Sequence, residues 1–110
     1  MPIDLEARHL HQVQDVLRKY VPECEVWVFG SRASNNKAKR FSDLDLAVVS
    51  PTALPVRRLA LLASAFEESD LPIKVDLVDL QSSSPAFRRR IASDHEVIFW
   101  AEERPRPESS

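Results

Sequence analysis

Two aspartates separated by one residue, Asp43 and Asp45, open one apolar run, and a third, Asp76, sits inside another. If both runs are strands, side chains two apart project from one face, so Asp43 and Asp45 point together. Like charges that close oppose each other's ionisation, and aspartate is depleted from strands. The chain accepts a cost that a cation would remove. Carboxylate oxygens are hard donors of the kind magnesium takes, one or two at a time, along with phosphate oxygens and water. If the strand of Asp76 neighbours the strand of Asp43 and Asp45, a third carboxylate joins the set. Three such groups can hold the two metal ions used in phosphoryl or nucleotidyl transfer.

Gly30, the only glycine, supports the same chemistry. Average sequences carry about 7% glycine, so a lone one marks a place where a side chain is not tolerated. Gly30 follows the strand-like EVWVF and precedes Ser31. There a phosphate can approach the backbone, and the following amides and the Ser31 hydroxyl can donate to it. Arg32, Lys37, Lys39 and Arg40 add positive charge in the polar stretch 31–42. Each part also has a plainer reading. Gly-Ser is an ordinary turn, Asp-x-Asp caps or solvates strand edges, and Asp76 can be an edge charge that deters aggregation. Asp79 can cap the loop that follows, and Arg88, Arg89 and Arg90 can be the solvated side of a helix.

The elements that must position these residues are legible from periodicity. Residues 5–20 repeat apolar side chains (Leu10, Val13, Leu17, Tyr20) at helical spacing, with Asp4 as a possible cap and Pro22 beyond the end. Glu25–Phe29 and Leu44–Val49 read as strands, and a second helix carries Val56, Leu59, Leu62, Ala63 and Phe66. A third strand is expected over 73–78, a short helix from Pro85 with Phe87 and Ile91 on one side, and a fourth strand over 97–100. This order predicts an α+β domain: a small mixed sheet of about four strands with helices packed on one side. Strand order does not follow from periodicity. The predicted domain occupies residues 1–101. Residues 102–110, rich in charge, proline and serine, read as a flexible tail.

Composition narrows the classes. With 110 residues, 44% of them hydrophobic and 29% charged, the chain suits one globular domain. A formal net charge of -2 gives no global reason to bind nucleic acid directly. One cysteine, Cys24, cannot form an internal disulfide and reads as a small buried hydrophobe. No apolar run spans a bilayer and no secretory signal is visible, so a cytoplasmic location without membrane contact is expected. His9, His11 and His95 lack metal-ligand spacing with the cysteine.

Taken together, residues 30–49 (GSRASNNKAKRFSDLDLAVV) and 74–80 (KVDLVDL) resemble the minimal nucleotidyltransferase family of the DNA polymerase β-like superfamily. The likeness extends over nearly the whole chain. It implies the polymerase β-like fold, magnesium held by Asp43, Asp45 and Asp76 as the catalytic set, and ATP as substrate. It also implies nucleotide contacts from Gly30, Ser31, Arg32, Arg40 and Ser42. Compact members of the family are commonly antitoxins encoded beside a HEPN-domain ribonuclease toxin. The implied activity is transfer of AMP from ATP to a toxin tyrosine, within an assembly of the chain with itself or with the toxin. An alternative is an antitoxin that binds nucleotide and neutralises its toxin by contact alone; a transferase for a small molecule or an RNA end is a third. Departures from the family pattern are Asn35 where a second glycine is usual, a loop about one residue longer, and Asp94 with His95 before the last strand.

Overall fold

The computed structural model describes residues 5–29, 44–50 and 52–101. The elements in chain order are α1 (Ala7–Tyr20), β1 (Glu25–Phe29), β2 (Leu44–Val49), α2 (Val56–Glu68), β3 (Val75–Asp79), a 3-10 turn at Leu80–Ser82, α3 (Pro85–Ser93) and β4 (Glu96–Phe99). Each expected helix and strand is present. The third strand begins two residues later than its sequence pattern and ends one residue later, and the fourth is shifted one residue earlier. Asp4 lies outside the described residues; Glu6 takes the N-cap of α1 without a side-chain hydrogen bond. α3 is capped as a Ser-Pro start should be, with the Ser84 hydroxyl accepting from the Phe87 amide.

The four strands form one sheet in the order β3-β2-β1-β4. β1 runs antiparallel to β2 and β4, whereas β2 and β3 are parallel. A parallel pair needs a crossover, and α2 supplies it. Strand alternation then divides the side chains. Val26, Val28, Leu44, Leu46 and Val48 enter one core with Val13 and Leu17 of α1 and Leu62 and Phe66 of α2. Full burial of such a side chain contributes about 1.5–3 kcal/mol over leaving it exposed, so this layer carries most of the fold's stability. Val56, expected on the inner side of α2, is instead 84% exposed, because it occupies the first turn of the helix, ahead of the buried positions Leu62 and Phe66.

The fold class is the expected α+β mixed sheet, but one helix differs from the expectation of helices on one side. Phe87 and Ile91 of α3 join Ala47, Leu80, Trp27, Phe29, Val49 and Val78 in a second, smaller cluster. These strand residues alternate with those of the main core, so α3 covers part of the opposite face. The reason is connectivity: β3 and β4 are the two outer strands, and the short α3 spans between them across the face that α1 and α2 leave open. Cross-ties fix the main layer. Gln14 of α1 donates to the Ile98 carbonyl at 2.9 Å, and Arg58 of α2 donates to the Tyr20 carbonyl at 2.9 Å while pairing with Glu23.

Candidate active site

The parallel register places Asp45 directly opposite Asp76. Adjacent strands lie roughly 4.8 Å apart, so carboxylates on opposed residues of one face share a small volume. Leu44, Leu46, Val75 and Leu77, the neighbours of the two aspartates, belong to the helix-covered core. Asp45 and Asp76 therefore project from the opposite face, and both are half-buried. Leu44 N–H donates to the Lys74 carbonyl at 2.8 Å, which extends the ladder one residue before the paired aspartates. The two carboxylates whose mutual position depended on strand order are thus brought together.

The same rung continues into β1, where Phe29 is the antiparallel partner of Asp45. Phe29 meets Phe87 of α3 edge to face, with ring centroids 5.9 Å apart and planes at 86°. A row of Asp76, Asp45 and Phe29 crosses the sheet with an aromatic wall on one side. The sequence reading did not single out Phe29 or Phe87 for the site. The available signal was Phe29's place immediately before the lone glycine. β1 ends at Phe29 and β2 opens at Leu44, so the chain leaves and re-enters the sheet at the end that carries the aspartates.

Asp43, together with Gly30, Ser31, Arg32, Arg40 and Ser42, lies outside the described residues. Among the described residues there is no group of three or more His, Cys, Asp or Glu side chains placed to hold a metal ion. The described part of the predicted ligand set is the pair Asp45 and Asp76, whose oxygen donors suit a hard divalent cation. The next aspartate, Asp79, is not part of this pair: it is 8% exposed and caps the 3-10 turn, accepting from the Gln81 amide.

Other residues weighed from sequence have structural settings. His95 stacks on Trp27 at 3.8 Å, and its Nδ1 lies 3.0 Å from the Ile91 carbonyl, to which an Nδ1–H would donate. Trp27 in turn donates to Glu25 at 2.6 Å. Cys24 is buried, and desolvation, reinforced by the nearby Glu23 charge, pushes its thiol up to about 11, so it is a packing residue rather than a nucleophile. Arg89 and Arg90 are exposed on α3, with Arg88 half-buried beside them. No helix among the described residues is long and apolar enough to cross a membrane.

Residues 11–104 match the family model for polymerase beta nucleotidyltransferases. The chain belongs to that family. Among its relatives, this nucleotidyltransferase is 43% identical over 96 residues to the probable protein adenylyltransferase MntA of Haemophilus influenzae, spanning 87% of this chain and 83% of the relative. Its fold is similar to that of a toxin–antitoxin crystallised with AMP-PNP, with a TM-score of 0.68 at 25% identity over 86% of this chain and 75% of the other. It shares the same fold, with a TM-score of 0.66 at 24% identity over 90% of this chain and 75% of the other, with a structure of a tri-AMPylated Shewanella oneidensis HEPN toxin in complex with MNT antitoxin.

Proposed function

We propose that this nucleotidyltransferase is an antitoxin that transfers AMP from ATP to a tyrosine of a cognate HEPN ribonuclease toxin and so neutralises it. The observation that carries the reading is the opposition of Asp45 and Asp76 on the sheet face opposite α1 and α2, in a chain that matches the polymerase beta nucleotidyltransferase family. Its acceptor class is supported by the likeness to a relative named as a protein adenylyltransferase and by a similar fold crystallised as a toxin–antitoxin with the ATP analogue AMP-PNP. The HEPN class of partner rests on the motif resemblance of residues 30–49 and 74–80.

In the reaction, the tyrosine oxygen attacks the α-phosphorus of ATP. A new phosphorus–oxygen bond forms, the bond from the α-phosphorus to the bridging oxygen breaks, pyrophosphate departs with that oxygen, and the phenolic proton passes to solvent. Asp43, Asp45 and Asp76 would hold magnesium, which when bound supplies positive charge to the transferring phosphoryl group. Gly30, Ser31 and Ser42 are assigned to seat the phosphates, and Arg32 and Arg40 to balance their charge. In this reading the rung of Asp45 and Asp76 sets the ligand spacing, and Phe29, in edge-to-face contact with Phe87, stands beside it.

The test is incubation of the purified chain with its toxin, magnesium and ATP labelled at the α-phosphate. Label on the toxin, lost in Asp45→Asn and Asp76→Asn, is the expected result. Toxin that is neutralised equally well by those folded variants, with no label in any sample, would establish inhibition by contact alone and end the transferase reading.

A further inference from the structure

The sequence VDLVD places two aspartates in one strand, and the transfer chemistry uses only the first. Asp79, the last residue of β3, is the only charged side chain among the buried described residues, and its carboxylate collects three donors. Oδ2 accepts from the Leu54 amide at 2.9 Å and from the Ser82 hydroxyl at 2.8 Å, while Oδ1 accepts from the Gln81 amide at 3.2 Å. Its backbone carbonyl accepts from the Ser83 hydroxyl at 3.0 Å. Leu54 lies in the connection between β2 and α2, 25 residues away in the chain, so this carboxylate ties the exit of β3 to the exit of its neighbouring strand.

That tie answers a question that alternation leaves open. Val75 and Leu77 face the main core, and a slip of β3 by one residue would turn both out and Asp76 in. A slip by two residues, roughly 6.6 Å along the strand, would keep each apolar residue on its own face and still move Asp76 off Asp45. Hydrophobic pattern alone does not forbid it. The slip would, however, carry the Asp79 carboxylate away from the Leu54 amide, leaving a buried charge short of a donor and a part-buried amide short of an acceptor, both costly.

Resting on the proposed transfer reaction, we propose that Asp79 is a positioning residue. By anchoring the end of β3 it holds the parallel register that sets Asp76 opposite Asp45. It does not touch the nucleotide; it acts through Asp76, three residues back on the other face of the strand. An asparagine at this position keeps an oxygen for the Leu54 amide, whereas a leucine of similar size keeps none.

The experiment compares wild type, Asp79→Asn, Asp79→Leu and Ser82→Ala by steady-state AMP transfer, thermal unfolding and amide hydrogen exchange of β3. With rates normalised to folded protein, Asp79→Leu is expected to lose about 100-fold in kcat, the scale of a displacement of about 1 Å in a reacting constellation, with KM for ATP little changed. Asp79→Asn restores most of that loss, and β3 amides exchange faster in the leucine variant than in the asparagine variant. A folded Asp79→Leu with full kcat and wild-type exchange in β3 overturns the proposal. If Asp79→Leu does not fold, Ser82→Ala decides: it removes one donor, and an unchanged kcat together with unchanged β3 exchange overturns the proposal. Absence of AMP transfer by wild type defeats the functional reading instead, and the exchange comparison still tests the anchor.

Discussion

On the face covered by α1 and α2, the inward positions of β1 and β2 are Val26, Val28, Leu44, Leu46 and Val48, all 0% exposed. On the other face the same two strands present Glu25, Trp27, Phe29, Asp45, Ala47 and Val49, and all but Ala47 are half-buried. One surface is closed by two long helices; the other is closed in part by the nine residues of α3. The contrast shows how a short chain divides its labour. Apolar closure on one side supplies stability, and that allows two like charges to be set side by side on the other.

Substitutions should separate the two faces. The largest effect is expected on the open one: Asp45→Asn or Asp76→Asn should lower AMP transfer by about 1000-fold, the upper scale for removing one preorganised charge-stabilising group, while far-ultraviolet circular dichroism stays that of the folded chain. Next comes the closed face. Leu46→Ala, one residue along β2 from Asp45, should destabilise by about 2–5 kcal/mol in urea unfolding, with kcat per folded molecule close to wild type. A Leu46 variant that kept its stability but lost chemistry would erase the proposed division.

The aromatic wall lies between these extremes. Phe87→Leu removes the edge-to-face contact with Phe29 but retains most of the apolar area, so a loss of about 0.5–1.5 kcal/mol is expected. Its measurable signature is a thermal shift accompanied by a raised KM for ATP, because the wall stands beside Asp45.

The smallest effect lies far from the sheet's open face. The Arg58 guanidinium, hydrogen-bonded to Glu23, holds that carboxyl below its ordinary value of 4.5 and outweighs the opposing effect of partial burial. A folded-state value below the unfolded one means the pair's contribution is present above pH 4.5 and disappears as pH falls through the depressed value. Since the side chains of Arg58 and Glu23 remain 35% and 39% exposed, water screens them and the contribution should stay under about 1 kcal/mol. Glu23→Gln should therefore unfold at slightly lower temperature than wild type near pH 7, and the two melting curves should converge as pH falls through the depressed carboxyl value.

Much of this was legible in particular residues. The period of two in a strand already put Asp43 and Asp45 on one face, and the period of 3.6 in α1 marked Val13 and Leu17 as core. The lone Gly30 and the spacing of Asp43 and Asp45 pointed to nucleotidyl transfer before any fold was known, and the family match agrees on that class of reaction. Other features were not legible because they depend on partners distant in sequence. Phe29 becomes the neighbour of Asp45 only through antiparallel pairing, and Phe87 reaches it only because α3 crosses the face opposite the long helices. Asp79 resembles Asp76 in sequence but lies on the other face of β3, buried, with its carboxylate accepting from Leu54, Gln81 and Ser82.

Local composition and periodicity were enough to place the helices and strands to within a residue or two and to mark most of the residues they bury, and they singled out oxygen donors suited to a hard cation and a lone glycine. Those properties depend on each residue and its near neighbours. Strand order, the parallel pairing of β2 with β3 and the side on which α3 lies were decided by the folded chain, because alternation repeats every two residues and is satisfied by several registers. Hydrogen bonds between distant segments, the reach of Asp79 to Leu54 among them, select one of these, and in that register Asp45 faces Asp76.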